Sequence, residues 1–545
     1  MKKSSFLEGT FISTFGIVLC KIIGLLYVIP FYAIIGNEGG ILYNYAYTIY
    51  SIFLGLSSSG IPIAISKIVS EYNALGFYNT KERAFKIGSR LLLLSGFVFF
   101  LILFIFAPQI SYLIIGDVTG GNNPESITFV IRVVSTAILI VPSLSVLRGY
   151  LQGHKIMSVP SMASVLEQIV RVIVIILGSY LTLNVLGLSL ETAVGVAVFG
   201  ATIGAGTALL FIQYKISKNK SVLNKDAKIT REEIKITEKD ILKRIILYAL
   251  PFILIDFFRS SYSMVDAFTV IKTLDNLGYD PTVAESALSI INTWASKINS
   301  IIISITVGMT VSLIPNIAAS NIKKDYDDVN LKINQALRIM MFLVLPMTVG
   351  LHFLSHPVWT AFYGYDQFGI SVLSINVFQA LTYCFYAILI DINQAMNNTK
   401  YAIGTLFSSL LLKWLLNVPF MRLFNVIGVP AYYAPIITTI FIQFLAIIFL
   451  LMVLKNKYNV TYRNTVLIFI KTILATSIMY LSLKILNLFI SVNTVNRLNS
   501  VIIVFTYCMF GGIIYAIAVI RSKLIKEVLG EKFLDGFISK FKIKK

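Results

Sequence analysis

The stretch PAYYAPIITTIFIQFLAIIFLLMVL, residues 430–454, decides the class of this fold because it contains no charged side chain. A helix needs about 20 apolar residues to cross the hydrocarbon core of a bilayer, so this stretch predicts a membrane span. Thirteen further runs of the same kind occur. The fourteen predicted spans centre on residues 10–36, 41–66, 88–115, 127–147, 156–184, 191–213, 245–271, 287–317, 335–354, 371–392, 402–424, 430–454, 464–489 and 498–520. We therefore predict an all-α integral membrane protein with 14 transmembrane helices.

The composition of the whole chain supports this prediction. Of 545 residues, 57% are hydrophobic and 13% are charged, and the mean hydropathy is +0.82. Soluble domains carry about 25% charged residues. This composition excludes soluble enzymes, nucleic-acid-binding modules and disordered chains. The three cysteines all fall in apolar runs and form no disulfide framework.

The distribution of positive charge orients the predicted spans. If the N-terminus is cytoplasmic, 36 Lys and Arg residues fall in loops on that side, three fall in the opposite loops, and seven lie within spans. Cytoplasmic loops carry an excess of Lys and Arg, so both termini are predicted to be cytoplasmic. The net charge of +20 then reflects these loops and gives no reason to expect a nucleic-acid partner.

The longest predicted loop divides the chain into two halves of six spans. We predict an N-terminal lobe over 1–213, a basic cytoplasmic loop over 214–244, a C-terminal lobe over 245–454, spans 13 and 14 over 455–521, and an amphipathic basic tail over 522–545. Since six spans return the chain to its starting side, the two lobes are expected to be parallel repeats. Such repeats are found in transporters with a substrate site between the lobes.

Short sequence similarities support the repeat. Gly60–Ala64 and Leu313–Ile317 each place a proline near the predicted end of a span. Gln152 follows span 4 and Gln394 follows span 10. Arg171 and Lys413 lie at the same distance beyond these two glutamines.

Ionisable residues inside predicted spans are expected to face a cavity or a partner, because an isolated charge at bilayer depth costs at least about 2.5–3.5 kcal/mol. The basic residues are Lys21, Arg132, Arg171, Arg259, Lys297, Lys413 and Lys484, and the acidic residues are Glu167, Asp256, Asp266 and Asp391. The excess of basic residues indicates an anionic substrate.

Some of these residues also have structural interpretations. Glu167 and Arg171 are four residues apart, and Asp256 and Arg259 are three apart, so each pair can form along one helix face. Lys484 lies near a span end, where its ammonium can reach the lipid headgroups.

Three other basic residues remain candidates for binding a ligand. Arg132 also lies near a span end and can serve either role. Lys21 and Lys297 have no acidic residue three or four positions away, which makes them the strongest candidates to face a cavity.

Other motifs are weaker. Gly200, Gly204 and Gly206 predict close helix packing in span 6. His352 and His356 have a spacing that can hold zinc, but no nearby Cys, Asp or Glu completes such a site. No nucleotide-binding loop of the form GxxxxGK[ST] occurs in the chain.

Three blocks of sequence resemble a known family. These blocks are Leu42–Tyr47, Gly60–Asn73 and Arg148–Gly153. They resemble the Gram-positive polysaccharide-biosynthesis membrane proteins, which are SpoVB/YtgP-like relatives of the lipid II flippase MurJ in the multidrug/oligosaccharidyl-lipid/polysaccharide (MOP) exporter superfamily. The resemblance covers nearly the whole chain.

The resemblance implies a fold and a function. Such proteins move a lipid-linked cell-wall precursor from the inner to the outer leaflet and change no covalent bond. The resemblance implies that two six-helix lobes enclose a cationic cavity for the pyrophosphate and sugar–peptide headgroup. It also implies that spans 13 and 14 form a lipid-facing groove for the polyprenyl tail.

Residue correspondence with the family is partial. Lys21, followed by Gly24, matches a basic residue of span 1, and Lys297 matches an Arg of span 8. Tyr27 stands where the family has a second Arg, and an Arg near the end of span 2 has no clear match within Leu56–Gly60. Lys binds phosphate as a point charge, whereas Arg can bind it with two parallel bonds.

These observations predict a non-enzymatic flippase for undecaprenyl-pyrophosphate-linked cell-wall precursor, lipid II, in the bacterial cell membrane. The predicted substrate-binding residues are Lys21, Lys297, Arg259, Arg171, Lys413 and Arg132. The resemblance also suggests cation binding by Asp256 and Asp391. No metal or cofactor site is predicted, and coupling to a Na⁺ gradient, a H⁺ gradient or the membrane potential stays open.

The expected partners are lipid II or a related undecaprenyl-linked glycan, membrane lipids and the cell-wall synthesis machinery. The alternatives are a flippase for another polyprenyl-linked polysaccharide and a multidrug or cation antiporter of the MATE type. A membrane-embedded transferase and a non-transporting scaffold are further rivals. The short outer loops argue against the transferase. A scaffold would not explain the basic residues inside the predicted spans.

Overall fold

The computed structural model describes residues 15–16, 19–116, 122–154, 156–219 and 236–529. Every regular element within these ranges is helical. The helices of the first half are α1 Val28–Ser58, α2 Ile61–Leu75, α3 Tyr78–Ile105, α4 Ala107–Ile115, α5 Pro124–Gly153, α6 Ser158–Ile173 with π-helical segments Val174–Gly178 and Leu181–Val185, and α7 Leu190–Lys218.

The helices that follow are α8 Glu238–Asn276, α9 Pro281–Ser289 with a π-helical segment Ile290–Trp294, α10 Ala295–Ile322, α11 Tyr326–Phe353, α12 Ser355–Tyr363, α13 Gln367–Ala395, α14 Thr399–Val426, α15 Ala434–Tyr458, α16 Arg463–Asn487, α17 Arg497–Arg521 and α18 Leu524–Leu529. Twelve stretches in the described part of the chain are long and apolar enough to cross a membrane. The chain is therefore a multi-pass membrane protein, as its composition predicted.

Two glycines break the first of these stretches. Gly36 has a φ of +65° and interrupts α1, between the first and second predicted spans. Gly60 has a φ of +74° and separates α1 from α2. Glycine adopts this backbone conformation without the steric penalty that a Cβ atom imposes. The second predicted span ends at residue 66, but helix α2 runs over residues 61–75, because Pro62 lies in its first turn, where a missing N–H costs nothing.

The described helices form two compact units, residues 1–292 and 293–545. The division lies later than the loop 214–244, where the sequence placed the lobe boundary. Within the first unit, Ile245 and Ala249 of α8 belong to the same buried apolar cluster as Ile65 of α2. Arg244 adds an ion pair to Glu71 at 3.1 Å. The start of α8 is thus part of the first unit's core.

Helix α5 lies at the centre of the first unit, in contact with α1, α2, α3 and α7. Two glycines explain how closely it approaches α2. A Cβ atom on Gly149 would lie 2.4 Å from the Pro62 carbonyl oxygen, and one on Gly153 would lie 2.8 Å from the Ser66 carbonyl oxygen. Two of the three blocks that carried the family resemblance therefore pack against each other.

Helix α13 has the matching central place in the second unit, in contact with α10, α11, α14 and α15. The repeat predicted from the sequence pairs it with α5. These two helices end one residue after Gln152 and Gln394, respectively, and the next helices carry Arg171 and Lys413. The two halves differ at the prolines that the repeat aligns. The helix breaks at Gly60, before Pro62, whereas α10 continues through Pro315 to Ile322.

Helix α18 covers one end of the second unit. Leu524 and Val528 are buried in a cluster with Phe342, Ile468 and Val519. This part of the predicted amphipathic tail packs on protein, and residues 530–545 lie outside the described chain.

Candidate functional site

Two arginines share one carboxylate in the first unit. Arg148 Nη2 lies 2.7 Å from Glu167 Oε2, and Arg171 Nη2 lies 2.7 Å from Glu167 Oε1. Arg171 and Glu167 pair along one helix face, as their spacing predicted. The side chains of both arginines are 22% exposed and that of Glu167 is 14% exposed. We call these three residues the arginine cluster.

Glycines of α7 position this cluster. A Cβ atom on Gly204 would lie 2.8 Å from the Glu167 carbonyl oxygen, and one on Gly200 would lie 3.1 Å from the Arg171 carbonyl oxygen. The close packing predicted for these two glycines is confirmed. Gly206 differs, because its Cβ position meets only Ile140 at an ordinary 3.8 Å.

Lys21 lies in the same neighbourhood of the first unit. Residues 19–26 are helical and Lys21 is exposed. The neighbouring thiol of Cys20 interacts electrostatically with Lys21 and with all three members of the arginine cluster. A Cβ atom on Gly24 would lie 3.3 Å from Gln168 Nε2, which places this helix against α6 beside Glu167.

Tyrosines of α1 lie near the arginine cluster. Tyr47 and Tyr50 of α1 both interact electrostatically with Arg171. Tyr47 stacks on Tyr43 with a centroid distance of 4.3 Å, and the Tyr43 hydroxyl lies 3.1 Å from that of Tyr27. Tyr27, which replaces a family Arg, therefore joins a tyrosine network and supplies no charge.

The other predicted residues of the first unit are on α5 and α8. Arg132 Nε donates to the Phe104 carbonyl at 3.3 Å, and its guanidinium lies 5.3 Å from the centre of the Phe104 ring. Arg259 and Asp256 are both half-buried on α8. The structure thus brings Lys21 and Arg171 together and gives Arg132 a local protein partner.

Lys297 and Asp391 belong to the second unit. Lys297 is half-buried in the first turn of α10, just after Trp294. The Trp294 carbonyl accepts a bond from the Tyr363 hydroxyl at 2.9 Å, which fixes the start of this helix. Asp391 Oδ2 accepts from Thr310 Oγ1 at 3.2 Å.

Lys413 is enclosed by protein. Its side chain has no exposed surface, and its ammonium donates to the Pro435 carbonyl and to Thr439 Oγ1, both at 2.7 Å. These bonds give the buried ammonium the hydrogen-bond acceptors that it needs away from water. In this structure Lys413 does not reach an open cavity.

Three further residues that the sequence singled out, His352, His356 and Lys484, lie near the ends of their helices. His352 Nδ1 donates to the Ser374 carbonyl at 2.8 Å, and burial lowers the pKa of the His356 imidazole. Lys484 is exposed and lies 5.1 Å from the centre of the Tyr480 ring.

An apolar groove of about 460 Å³ opens in the second unit between α10, α11, α16 and α17. Its lining is almost wholly apolar. The lining residues are Ile301, Ile302, Phe342, Leu343, Pro346, Met347, Gly350, Leu351, Leu354, Val358, Phe362, Met479, Leu483, Val504, Tyr507, Cys508, Gly511, Gly512 and Tyr515. Helices α16 and α17, which line one side of this groove, correspond to the predicted spans 13 and 14.

Sequence reasoning missed Arg148 as a functional candidate. The fourth predicted span ends at residue 147, which leaves Arg148 in the loop that follows, but this residue lies within α5, five residues before its end. The local sequence gives no sign of a partner, because Glu167 is 19 residues away along the chain. Only the packing of α5 beside α6 brings the two together. The combined cluster offers guanidinium donors with a net positive charge, which is the chemistry that phosphate groups prefer.

Comparison with known proteins identifies a family and several relatives. Residues 6–317 match the family described as polysaccharide biosynthesis protein. The lipid II flippase MurJ of Bacillus subtilis (strain 168) is 30% identical over 98% of this chain and 99% of its own length. Stage V sporulation protein B of the same organism is 24% identical over 73% of this chain and 74% of its own.

Solved structures share the fold. A structure of lipid II flippase MurJ in an inward closed conformation covers 95% of this chain and all of its own, with a TM-score of 0.62 and 16% identity. An inward-facing multidrug resistance MATE family transporter of the MOP superfamily covers 80% of this chain and 95% of its own, with a TM-score of 0.60 and 15% identity.

Proposed function

The chain belongs to the polysaccharide biosynthesis protein family, and we propose that it is a flippase that carries lipid II from the inner to the outer leaflet of the bacterial cell membrane. The full-length similarity to a lipid II flippase supports this proposal. The observation that carries it in the structure is the arginine cluster with Lys21 nearby, a partly exposed group of positive charge within membrane helices. Such a group suits an anionic pyrophosphate and opposes a cationic drug.

The proposal includes 14 transmembrane helices with both termini in the cytoplasm. The break at Gly36 lies between the predicted first span, 10–36, and the predicted second span, 41–66, so the stretch Val28–Asn73 holds the end of the first and the whole of the second. Helix α8, with 39 residues, is long enough to cross the bilayer although it is not among the twelve apolar stretches. The distribution of Lys and Arg between the loops supports this orientation.

In the proposed mechanism Lys21, Lys297 and Arg259 attract the pyrophosphate. The negative charge of the substrate neutralises the positive charge of the cavity. The two lobes can then close and reopen outward. Asp256 and Asp391 are candidate ligands of a coupling cation. The membrane potential is an alternative energy source, since one charge crossing 100 mV gains about 2.3 kcal/mol. The apolar groove beside α16 and α17 would hold part of the polyprenyl tail.

The test is depletion of this protein in its host, followed by measurement of the lipid II that an externally added, outer-leaflet-specific hydrolase can cut. We expect accessible lipid II to fall while total lipid II rises. The measurement is repeated in a strain that lacks other candidate flippases, so that a second protein does not mask the loss. Unchanged accessible lipid II in that strain would contradict the lipid II assignment and favour another polyprenyl-linked glycan.

Complementation then tests individual residues. Lys21→Ala and Lys297→Ala are expected to fail to restore accessible lipid II at wild-type protein level, because each removes a charge from the proposed pyrophosphate site. Lys484→Ala is the matched control, since Lys484 is an exposed lysine that stacks on Tyr480. Full complementation by Lys297→Ala would remove that residue from the site. Dye efflux that depends on Asp256 but not on Lys21 would favour the MATE-type alternative.

A further inference from the structure

The arginine cluster contains hydrogen-bond donors that the protein does not use. Arg148 and Arg171 each give one Nη2 bond to Glu167. The Nε atoms of both arginines are buried and have no protein acceptor. A guanidinium carries five N–H donors, and a buried donor without an acceptor is costly. The protein therefore leaves guanidinium donors of both arginines without an acceptor.

The charge of the cluster determines what kind of acceptor fits. Two guanidinium groups and one carboxylate leave a net charge of +1, and Lys21 adds a further positive charge close by. An incoming anion is therefore favoured over a neutral or cationic group. Both arginine side chains keep 22% of their surface exposed, so part of each is open to a ligand although its Nε atom is buried.

Glu167 determines the geometry of the two arginines. Each of its carboxylate oxygens accepts from a different arginine, one on α5 and one on α6. The carboxylate therefore holds two guanidinium groups on neighbouring helices side by side. Their planar forks match the oxygen atoms of phosphate, and two adjacent forks match a group with two linked phosphates.

We propose that Arg148 and Arg171 form a two-arginine clamp for the pyrophosphate of a lipid-linked precursor, with Glu167 as the positioning residue. This inference rests on the proposed function and adds a ligand, Arg148, that the sequence assigned to a loop. It also assigns a role to Arg171 that differs from a purely structural ion pair with Glu167.

The test measures binding of farnesyl pyrophosphate to the purified full-length protein in detergent. We expect Arg148→Gln to bind about tenfold more weakly than wild type, since it loses a charge-assisted contact. Arg148→Lys is expected to fall between the two, because it keeps the charge and loses the fork. Arg90→Gln is the control, which removes an exposed arginine from the same unit. Wild-type affinity in Arg148→Gln would overturn the clamp.

A double variant separates the clamp from a structural or purely electrostatic role. Arg148→Gln with Glu167→Gln keeps the net charge of +1 but has one guanidinium. We expect it to regain thermal stability relative to Arg148→Gln, because no carboxylate is left with a missing partner, while its binding stays weak. Recovery of wild-type binding would show that net charge is sufficient, and the two-arginine clamp would be wrong.

Competition with inorganic pyrophosphate distinguishes the source of the ligand. We expect farnesyl pyrophosphate to bind more tightly, because its tail adds apolar contacts. Equal affinity would overturn the assignment to a lipid-linked ligand. These binding results do not depend on lipid II accessibility in cells. If the purified protein binds farnesyl pyrophosphate through the clamp but its depletion leaves accessible lipid II unchanged, the clamp stands and lipid II is not the cargo.

Discussion

Arg171 and Lys413 occupy equivalent positions in the predicted internal repeat but have different surroundings. Arg171 is partly exposed and shares Glu167 with Arg148. Lys413 is fully enclosed and bonds to the Pro435 carbonyl and to Thr439. The sequence predicted both as substrate ligands, because a charge at bilayer depth needs a partner. It does not reveal whether that partner is the protein or a ligand.

The enclosure of Lys413 leads to a prediction about stability. Lys413→Ala is expected to destabilise the protein by about 2–5 kcal/mol, as a large-to-small change in a packed core does. Lys413→Met is expected to cost less, since it fills the same space and Thr439 Oγ1 still donates to the Pro435 carbonyl at 2.9 Å. Thermal unfolding in detergent measures this order. If the Met variant were as stable as wild type but no longer transported, Lys413 would belong to the substrate site.

At the scale of helices, glycines determine which elements come close. Gly149 and Gly153 allow α5 to approach the backbone of α2. Gly200 and Gly204 do the same for α7 and the segment of α6 that carries Glu167 and Arg171. Small residues at helix contacts are typical of membrane proteins, in which van der Waals packing drives helix association. The close packing of α5 on α2 thus accounts for the two glycines in the block Arg148–Gly153.

Gly204 and Gly206 provide a matched pair for testing this packing. Gly204→Ala is expected to lower the unfolding temperature and to weaken farnesyl pyrophosphate binding, because its Cβ would lie 2.8 Å from the Glu167 carbonyl oxygen and force α6 to move. Overpacking of this kind costs about 1–3 kcal/mol. Gly206→Ala is expected to be neutral, since its Cβ meets Ile140 at 3.8 Å. Equal behaviour of the two variants would contradict the role of close α6–α7 packing.

For the molecule as a whole, the two long helices outside the predicted repeat line an apolar groove. Helices α16 and α17 pack against α11 and α12 of the second unit and leave an apolar groove beside them. Helix α18 packs beside Phe342 and Tyr515, which also line this groove. An apolar groove of this kind is suited to an extended hydrocarbon chain.

Filling the groove tests whether it holds the lipid tail. A Cβ atom on Gly512 would meet nothing within 4 Å, and Gly512 lines the groove. Gly512→Phe is therefore expected to fold and to retain an undecaprenyl lipid about tenfold less well by native mass spectrometry. Gly404→Phe is the control, because Gly404 also has open space and lies outside the groove. Equal lipid retention in both variants would exclude the groove as the tail site.

The sequence alone determined the membrane class, the helical fold, the positions of most spans and the family. These follow from local properties, namely runs of apolar residues, the distribution of Lys and Arg, and short motifs. It also identified the pairing of Glu167 with Arg171, because four residues along a helix bring two side chains to one face.

Only the tertiary structure decided which charges share a site. Arg148 joins Glu167 because α5 packs beside α6, and no spacing along the chain encodes that contact. Lys413 is withdrawn from any open cavity because the residues around Pro435 enclose it. The early part of α8 joins the first unit because Ile245 and Ala249 fit its core. Side chains distant in sequence meet only after helices pack, and it is this packing that separates a ligand-binding charge from a structural one.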